Sequence, residues 1–195
     1  LSWPISLETE RFVLRQLEPS DYQAWYTAML ERRPRQHQYD DDLFSLDGLD
    51  ADWFASACDL HRESALSDHC YNWTVFHKQT HQHLGKIDLY TIQRNVFQWA
   101  NLGYCIHNQF WRQGFAKEAV TAVLKAGFEQ LHYHRIEAAI NLDNHASIGL
   151  VESLGLQKEC IRRSFWYENE QWVDHLIYVA LPSDFGLSES APTVS

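Results

Sequence analysis

The chain has 195 residues, 45% of them hydrophobic and 14% aromatic, so it can bury a sizeable core and is too apolar to stay disordered. Its formal net charge of -10 argues against nucleic acid as the main ligand, because phosphate contacts dominate that kind of affinity. No stretch reaches the roughly 18 apolar residues of a membrane helix, and the N-terminus carries no signal-peptide pattern. The four cysteines, Cys58, Cys70, Cys105 and Cys160, are widely spaced with no C-x-x-C pair. That fits reduced thiols serving as small core residues in a cytoplasmic setting.

In chain order, residues 10–17 (Glu-Arg-Phe-Val-Leu-Arg-Gln-Leu) read as a first strand that Pro19 ends. Ser20 and Gln23 have the spacing of a capping box. Tyr22, Trp25, Tyr26 and Met29 follow at helical intervals, and this helix stops near Arg33 and Pro34. Residues 35–50 are polar and irregular. Their run Asp40-Asp41-Asp42 would attract a cationic substrate, but a solvated loop with helix caps is the simpler reading. A second helix over 51–66 carries Trp53, Phe54, Ala57 and Leu60. Residues 71–77 and 85–93 read as two strands of a hairpin or meander. His77, His81 and His83 in their connection have a spacing zinc could use. With no cysteine or carboxylate beside them, a polar hairpin tip explains them better, and no metal is expected.

The chain is organised around residues 102–139. Leu102, Tyr104 and Ile106 alternate with smaller or polar neighbours, the period of a strand. A loop over 108–115 has Gly114 as its only glycine. From Ala116 the period becomes helical: Ala116, Ala119, Val120, Val123, Leu124, Gly127, Phe128 and Leu131 form one apolar stripe backed by a solvated face. Residues 134–140 read as a strand again. A strand, a tight loop and a helix leave unpaired backbone N–H groups at the helix N-terminus, which with the helix dipole make a site for phosphate or pyrophosphate. Asn144 to Leu154, closed by Gly155, is a short helix with a glycine stop. Residues 163–167 and 172–181 form a last strand pair. Residues 182–195, rich in Ser, Pro and Gly, read as a disordered tail. The order β-α-α-β-β-β-α-β-α-β-β describes one mixed α/β domain over 1–181.

At four places these residues resemble the GNAT superfamily of N-acetyltransferases, and within it the RimJ/RimL branch that acetylates ribosomal-protein N-termini. Thr9-Glu10-Arg11-Phe12-Val13-Leu14-Arg15 resembles the branch's opening strand. Gly103-Tyr104 with Trp111-Arg112-Gln113-Gly114-Phe115-Ala116-Lys117-Glu118-Ala119 resembles its cofactor motif. Asn144-His145-Ala146-Ser147 with Glu152-Ser153-Leu154-Gly155-Leu156 resembles its substrate-side helix, and Trp172-Val173-Asp174-His175 with Tyr178 its closing strand. In the cofactor motif Gln/Arg-x-x-Gly-x-Gly/Ala, Gly114 and Ala116 match, and Trp111 stands where Gln or Arg is usual.

The resemblance implies a single-domain, mostly antiparallel sheet with flanking helices and a splayed strand pair at the cofactor site. It also implies acetyl-CoA as donor and a primary amine as acceptor. Backbone N–H groups of Arg112, Gln113, Gly114, Phe115, Ala116 and Lys117 would take the pyrophosphate, with Gly114 permitting close approach. Tyr104, Ile106 and His107 match the strand that pairs with the pantetheine arm. For His107, a strand-end role without catalysis is favoured over a general base. Asn144 and Ser147, three apart, face the same side of one helix. The matching Asn contacts the pantetheine arm and the matching Ser lies near the thioester sulfur as a candidate acid. Read without the resemblance, Asn144 is an N-cap and Ser147 an ordinary first-turn residue. Asp88 is a possible carboxylate base, although either face of its strand is open to it. Alternatives are a small-molecule amine acceptor, such as a polyamine or an aminoglycoside, or a non-catalytic acyl-CoA-binding module. Neither nucleic acid nor membrane is expected as a partner, and association of two chains is left open.

Overall fold

Strands that range from alternating to fully buried or fully exposed, with helices of three-to-four apolar spacing, make a mixed α/β fold, described by a computed structural model for residues 3–43, 45–189, 191 and 192. The strands are β1 (Leu7–Glu8), β2 (Phe12–Arg15), β3 (Cys70–His77), β4 (His83–Gln93), β5 (Trp99–Ile106), β6 (Arg135–Asn141), β7 (Gln157–Glu168) and β8 (Gln171–Ala180). The helices are α1 (Tyr22–Leu30), α2 (Ala51–Leu66), α3 (Phe115–Glu129) and α4 (His145–Ser153). The sheet has the order β1-β2-β3-β4-β5-β6-β8-β7. Its pairs β1–β2, β2–β3, β6–β8 and β7–β8 are antiparallel and β5–β6 is parallel. The chain divides into two compact units, Leu1–Asp88 with Tyr104–Val123, and Leu89–Gly103 with Leu124–Ser195.

In the first unit, Phe12 and Leu14 of β2 are fully buried, and Leu14 faces Val75 across the β2–β3 ladder. α1 and α2 bury Trp25, Phe54 and Cys58 in one cluster with Leu17 and Phe76. Asp50 caps α2 by accepting from the Trp53 N–H at 2.9 Å. Three expectations change here. The predicted first strand, 10–17, is shorter, Phe12–Arg15, and a turn in which the Thr9 N–H donates to the Phe12 carbonyl joins it to an additional strand, β1. The capping pair before α1 is Glu18 and Asp21: Asp21 accepts the Glu18 N–H at 2.8 Å. Pro19 therefore opens a 3-10 turn instead of merely ending the strand. α1 ends at Leu30, several residues before Pro34.

The acidic run also splits. Asp40 is buried and bridges Arg32 (3.1 Å), the Gln36 N–H (2.9 Å) and the Asn108 amide (2.9 Å), while Asp41 and Asp42 face solvent. The solvated-loop expectation fails for Asp40 because Arg32, itself buried, needs a counter-charge. Of the four free cysteines, only Cys58 is a fully buried core residue, and Cys160 is exposed.

In the second unit β5 pairs with β6 over three rows, Trp99↔Arg135 to Asn101↔Glu137. Leu102 and Gly103 lie beyond those three rows. The strand begins at Trp99, earlier than the alternation of Leu102, Tyr104 and Ile106 indicates, because its first residues pair with β6. β8 is flanked by β6 and β7, and Leu176 to Ala180 are buried. β7 starts at Gln157, six residues before the expected strand. It is a sheet edge exposed almost throughout, with register shifts at Lys158/Cys160 and Arg162/Trp166. Such shifts are a common device on edge strands. Asn169 and Glu170, both at positive φ, close the β7–β8 hairpin. Arg162 forks onto Glu137 at 2.6 and 2.9 Å, which supplies the counter-charge for a carboxylate only 1% exposed. Arg163 faces solvent. The expected disordered tail starts with a 3-10 turn, Pro182–Phe185, whose Phe185 ring lies 5.6 Å from Phe128. Ser190 and residues 193–195 of that tail lie outside the described residues. No helix among the described residues is long and apolar enough to cross a membrane.

Candidate active site

In the first unit β5 ends at Ile106 and a short 3-10 turn, Asn108–Phe110, leads into the loop before α3. Asn108 is buried and holds this turn to residues 33–40. Its Oδ1 accepts from the Arg33 N–H (2.8 Å), and its amide donates to the Arg33 carbonyl (2.7 Å) and to Asp40. Trp111, in the place of the family's Gln or Arg, donates from Nε1 to the Ile106 carbonyl (2.6 Å) and stacks on His37 at 5.0 Å. The carbonyl of Ile106, a predicted contact to the cofactor arm, is thus already engaged.

The loop turns by two positive φ angles, +63° at Arg112 and +73° at Gly114. Arg112, Gln113, Gly114 and Lys117 are exposed, whereas the Phe115 side chain is buried, 5.0 Å from the Phe12 ring. Of Phe115, therefore, only the backbone faces outward chemistry. The first N–H groups of α3 have no partner within the helix, so the turn and the helix end form a cradle for an anion. Arg11 lies beside it, bonded to Glu118 and to the Gln113 carbonyl. Nothing in the local sequence signals that pairing across 107 positions.

His107 is buried, with Nε2 3.0 Å from His83 Nδ1 and with Nδ1 unpartnered among the described residues. Burial pushes His83 down to about 4, and burial, then His83 and Arg32, push His107 down to about 3. Both rings are neutral at pH 7, which leaves His107 a weak proton acceptor. His77 Nδ1 accepts from the N–H groups of Gln79 and Thr80, and His81 sits in the turn at φ +56°. The three histidines do not converge, and no group of three metal-binding side chains occurs among the described residues. Burial, followed by Asp41, pushes the Cys105 thiol up to about 11, so it is no nucleophile at neutral pH. Asp88 pairs with Lys86 at 3.6 Å. Tyr104 is half-buried.

In the second unit Asn144 caps α4, its Oδ1 accepting the Ser147 N–H at 3.2 Å. Ser147 is half-buried in the first turn. Tyr178 of β8 donates to Glu152 of α4 at 2.7 Å and fixes the helix on the strand.

Residues 11–157 match the model of the acetyltransferase (GNAT) domain. The chain belongs to the GNAT family. It is similar to YoaA, an uncharacterised N-acetyltransferase of Bacillus subtilis: 27% identity over 172 residues, 88% of this chain and 94% of that protein. It is also similar to the [ribosomal protein uS5]-alanine N-acetyltransferase of Escherichia coli, 28% identical over 102 residues, 52% of this chain and 53% of that one. Among solved structures, Mycobacterium smegmatis RimJ in complex with CoA-disulfide superposes with a TM-score of 0.74 at 18% identity, covering 96% of this chain and 92% of RimJ. That likeness concerns the fold. The protein is an N-acetyltransferase, and GNAT enzymes take acetyl-CoA as donor.

The first unit fits that donor. A diphosphate needs several N–H donors on one turn and no side chain in its way. Gly114 meets this need: the nearest atom to a Cβ built there is Arg11 Nη2, 3.6 Å away. The exposed Arg112 and Lys117 add positive charge at the same helix end.

Proposed function

We propose that the protein transfers the acetyl group of acetyl-CoA to the N-terminal amine of a protein, a ribosomal protein being the leading candidate, by direct attack in a ternary complex. The observation carrying the donor half is the turn of Arg112 and Gly114 at the head of α3. The acceptor half is supported by the similarity to the uS5-alanine N-acetyltransferase.

In this reading the diphosphate rests on the N–H groups of residues 112–117, and the pantetheine arm runs along Tyr104, Ile106 and His107, using the backbone groups that Trp111, Leu84 and Phe110 leave unengaged. The Asn144 amide donates to the same arm. The amine nitrogen attacks the thioester carbon, the carbon–sulfur bond breaks, and the amine's proton passes to Asp88. Ser147 donates its hydroxyl proton to the departing thiolate, and the alkoxide left behind is reprotonated through solvent as Asp88 gives up the amine's proton. Holding amine and thioester together supplies much of the rate. The high pKa of Cys105 supports direct attack over an acyl-cysteine intermediate.

The test is acetyl transfer followed by mass spectrometry, with wild type and Ser147→Ala given acetyl-CoA and a panel of ribosomal N-terminal peptides, polyamines and aminoglycosides. The proposal expects an acetylated peptide, formed at least about 10²-fold more slowly by the variant, the usual scale of acid–base catalysis. Product on a polyamine alone would move the acceptor to small amines. An unchanged rate in Ser147→Ala would remove Ser147 from the chemistry.

A further inference from the structure

Arg11 lies in the turn between β1 and β2, outside the strand–loop–helix unit, yet its contacts converge on that unit. Its backbone N–H and Nε donate to the two oxygens of Glu118 at 2.9 and 2.6 Å. Nη1 donates to the Gln113 carbonyl at 2.9 Å. The guanidinium lies 4.8 Å from the Phe115 ring centroid. The backbone carbonyl of Arg11 accepts the Lys78 N–H at 2.9 Å, which ties the residue to the end of β3.

We infer that Arg11 is the residue that orients the diphosphate turn, an inference that rests on the assignment of residues 112–117 to acetyl-CoA. A peptide unit is planar and trans, so its C=O and N–H point in opposite directions. Fixing the Gln113 carbonyl on Arg11 therefore turns the Gly114 N–H away from Arg11, toward the outside of the turn. Glu118 has a second consequence. A carboxylate in the first turn of α3 would repel a bound anion and offset the helix-end field that attracts it. Arg11 cancels that charge and, by doing so, is itself neutralised. Its contribution is the direction of a donor more than net charge, and a guanidinium can bond Glu118 and Gln113 together because its donors form a rigid fork.

Binding distinguishes this from a general structural role. CoA and pantetheine, which lacks the diphosphate, are titrated by ligand-observed NMR into wild type, Arg11→Gln and Arg11→Lys, with thermal melting as the control for folding. The expected result is a loss of CoA affinity of about tenfold or more in both variants, the worth of one charge-assisted hydrogen bond, with pantetheine affinity unchanged. Arg11→Lys keeps a cation beside Glu118 but cannot also hold Gln113, and it is the variant to read if Arg11→Gln fails to fold. Wild-type CoA affinity in Arg11→Lys, or a parallel loss for pantetheine, would overturn the inference. Failure of wild type to bind CoA would instead overturn the donor assignment beneath it.

Discussion

The carbonyl oxygen of Cys105 stands 2.0 Å from the position a Cβ would take on Gly85, and the Ile106 Cα stands 2.8 Å from it. Gly85 is at φ +147°, where an L side chain is also strained. β4 and β5 thus touch backbone to backbone one residue before the Leu84 carbonyl accepts the His107 N–H at 2.9 Å. Gly85→Ala is expected to cost about 3 kcal/mol or more, from overpacking against backbone plus local strain. It should also weaken CoA binding, because relief of the clash must move Cys105 and Ile106. Urea unfolding and a CoA titration measure the two effects. A wild-type unfolding midpoint would show that the strands part freely at this point.

The buried pair His83 and His107 predicts a particular acid sensitivity. In the unfolded chain each imidazole takes a proton near pH 6.5, whereas in the folded protein burial holds them down to about 4 and about 3. Below pH 6.5 the unfolded state therefore binds more protons than the native one. The pair's contribution is present in full above that pH and is lost as pH falls toward the folded values. Urea midpoints between pH 7.5 and 5 should decline more steeply in wild type than in His83→Leu/His107→Leu, which has no group to titrate there. Equal declines would place the sensitivity elsewhere.

The apolar stripe of α3 and the strand–loop–helix order of the site were legible in the sequence from their internal period, whereas α2 over 51–66 is less regular, and of the residues that mark it Phe54 is buried but Trp53 and Leu60 are exposed. The N-terminal half of β7 was not legible, because Gln157, Lys158, Glu159 and Cys160 are exposed and an edge strand open on both faces leaves no alternation to read. The same limit applies to the site. The turn at Gly114 is marked by its glycine, the residue that most readily adopts a φ of +73°. Arg11 and Glu118 are 107 positions apart, and a pair closed by tertiary structure has no local signature. Asp40 looked like one of three solvated acids, and only the burial of Arg32 sets it apart from Asp41 and Asp42.

That burial makes Asp40 a sensitive position. The side chains of Arg32 and Asp40 are 4% and 3% exposed, so Asp40→Leu leaves a buried guanidinium with only the exposed Asp41, 3.5 Å away, and should cost about 3 kcal/mol. Arg32→Met/Asp40→Leu removes both charges and should recover most of that loss. A double-mutant cycle by urea unfolding measures the coupling. If the double variant is as unstable as Asp40→Leu alone, the Asn108 and Gln36 bonds to Asp40 matter more than its charge.

Asn144 carries two roles that one substitution can separate. Its Oδ1 caps α4 through the Ser147 N–H, while the proposed contact to the pantetheine arm uses the amide as donor. Aspartate caps a helix as well as asparagine does, but it has no donor when ionised. Asn144→Asp should therefore melt within a degree or two of wild type, since the cap it replaces is worth only about 1 kcal/mol, and bind CoA about tenfold less tightly, the effect of one lost hydrogen bond and an added negative charge. Asn144→Ala should lose both, with stability falling by about 1 kcal/mol. Melting curves and CoA titrations on the two variants give four numbers. Wild-type CoA affinity in Asn144→Asp would leave the residue as a cap alone.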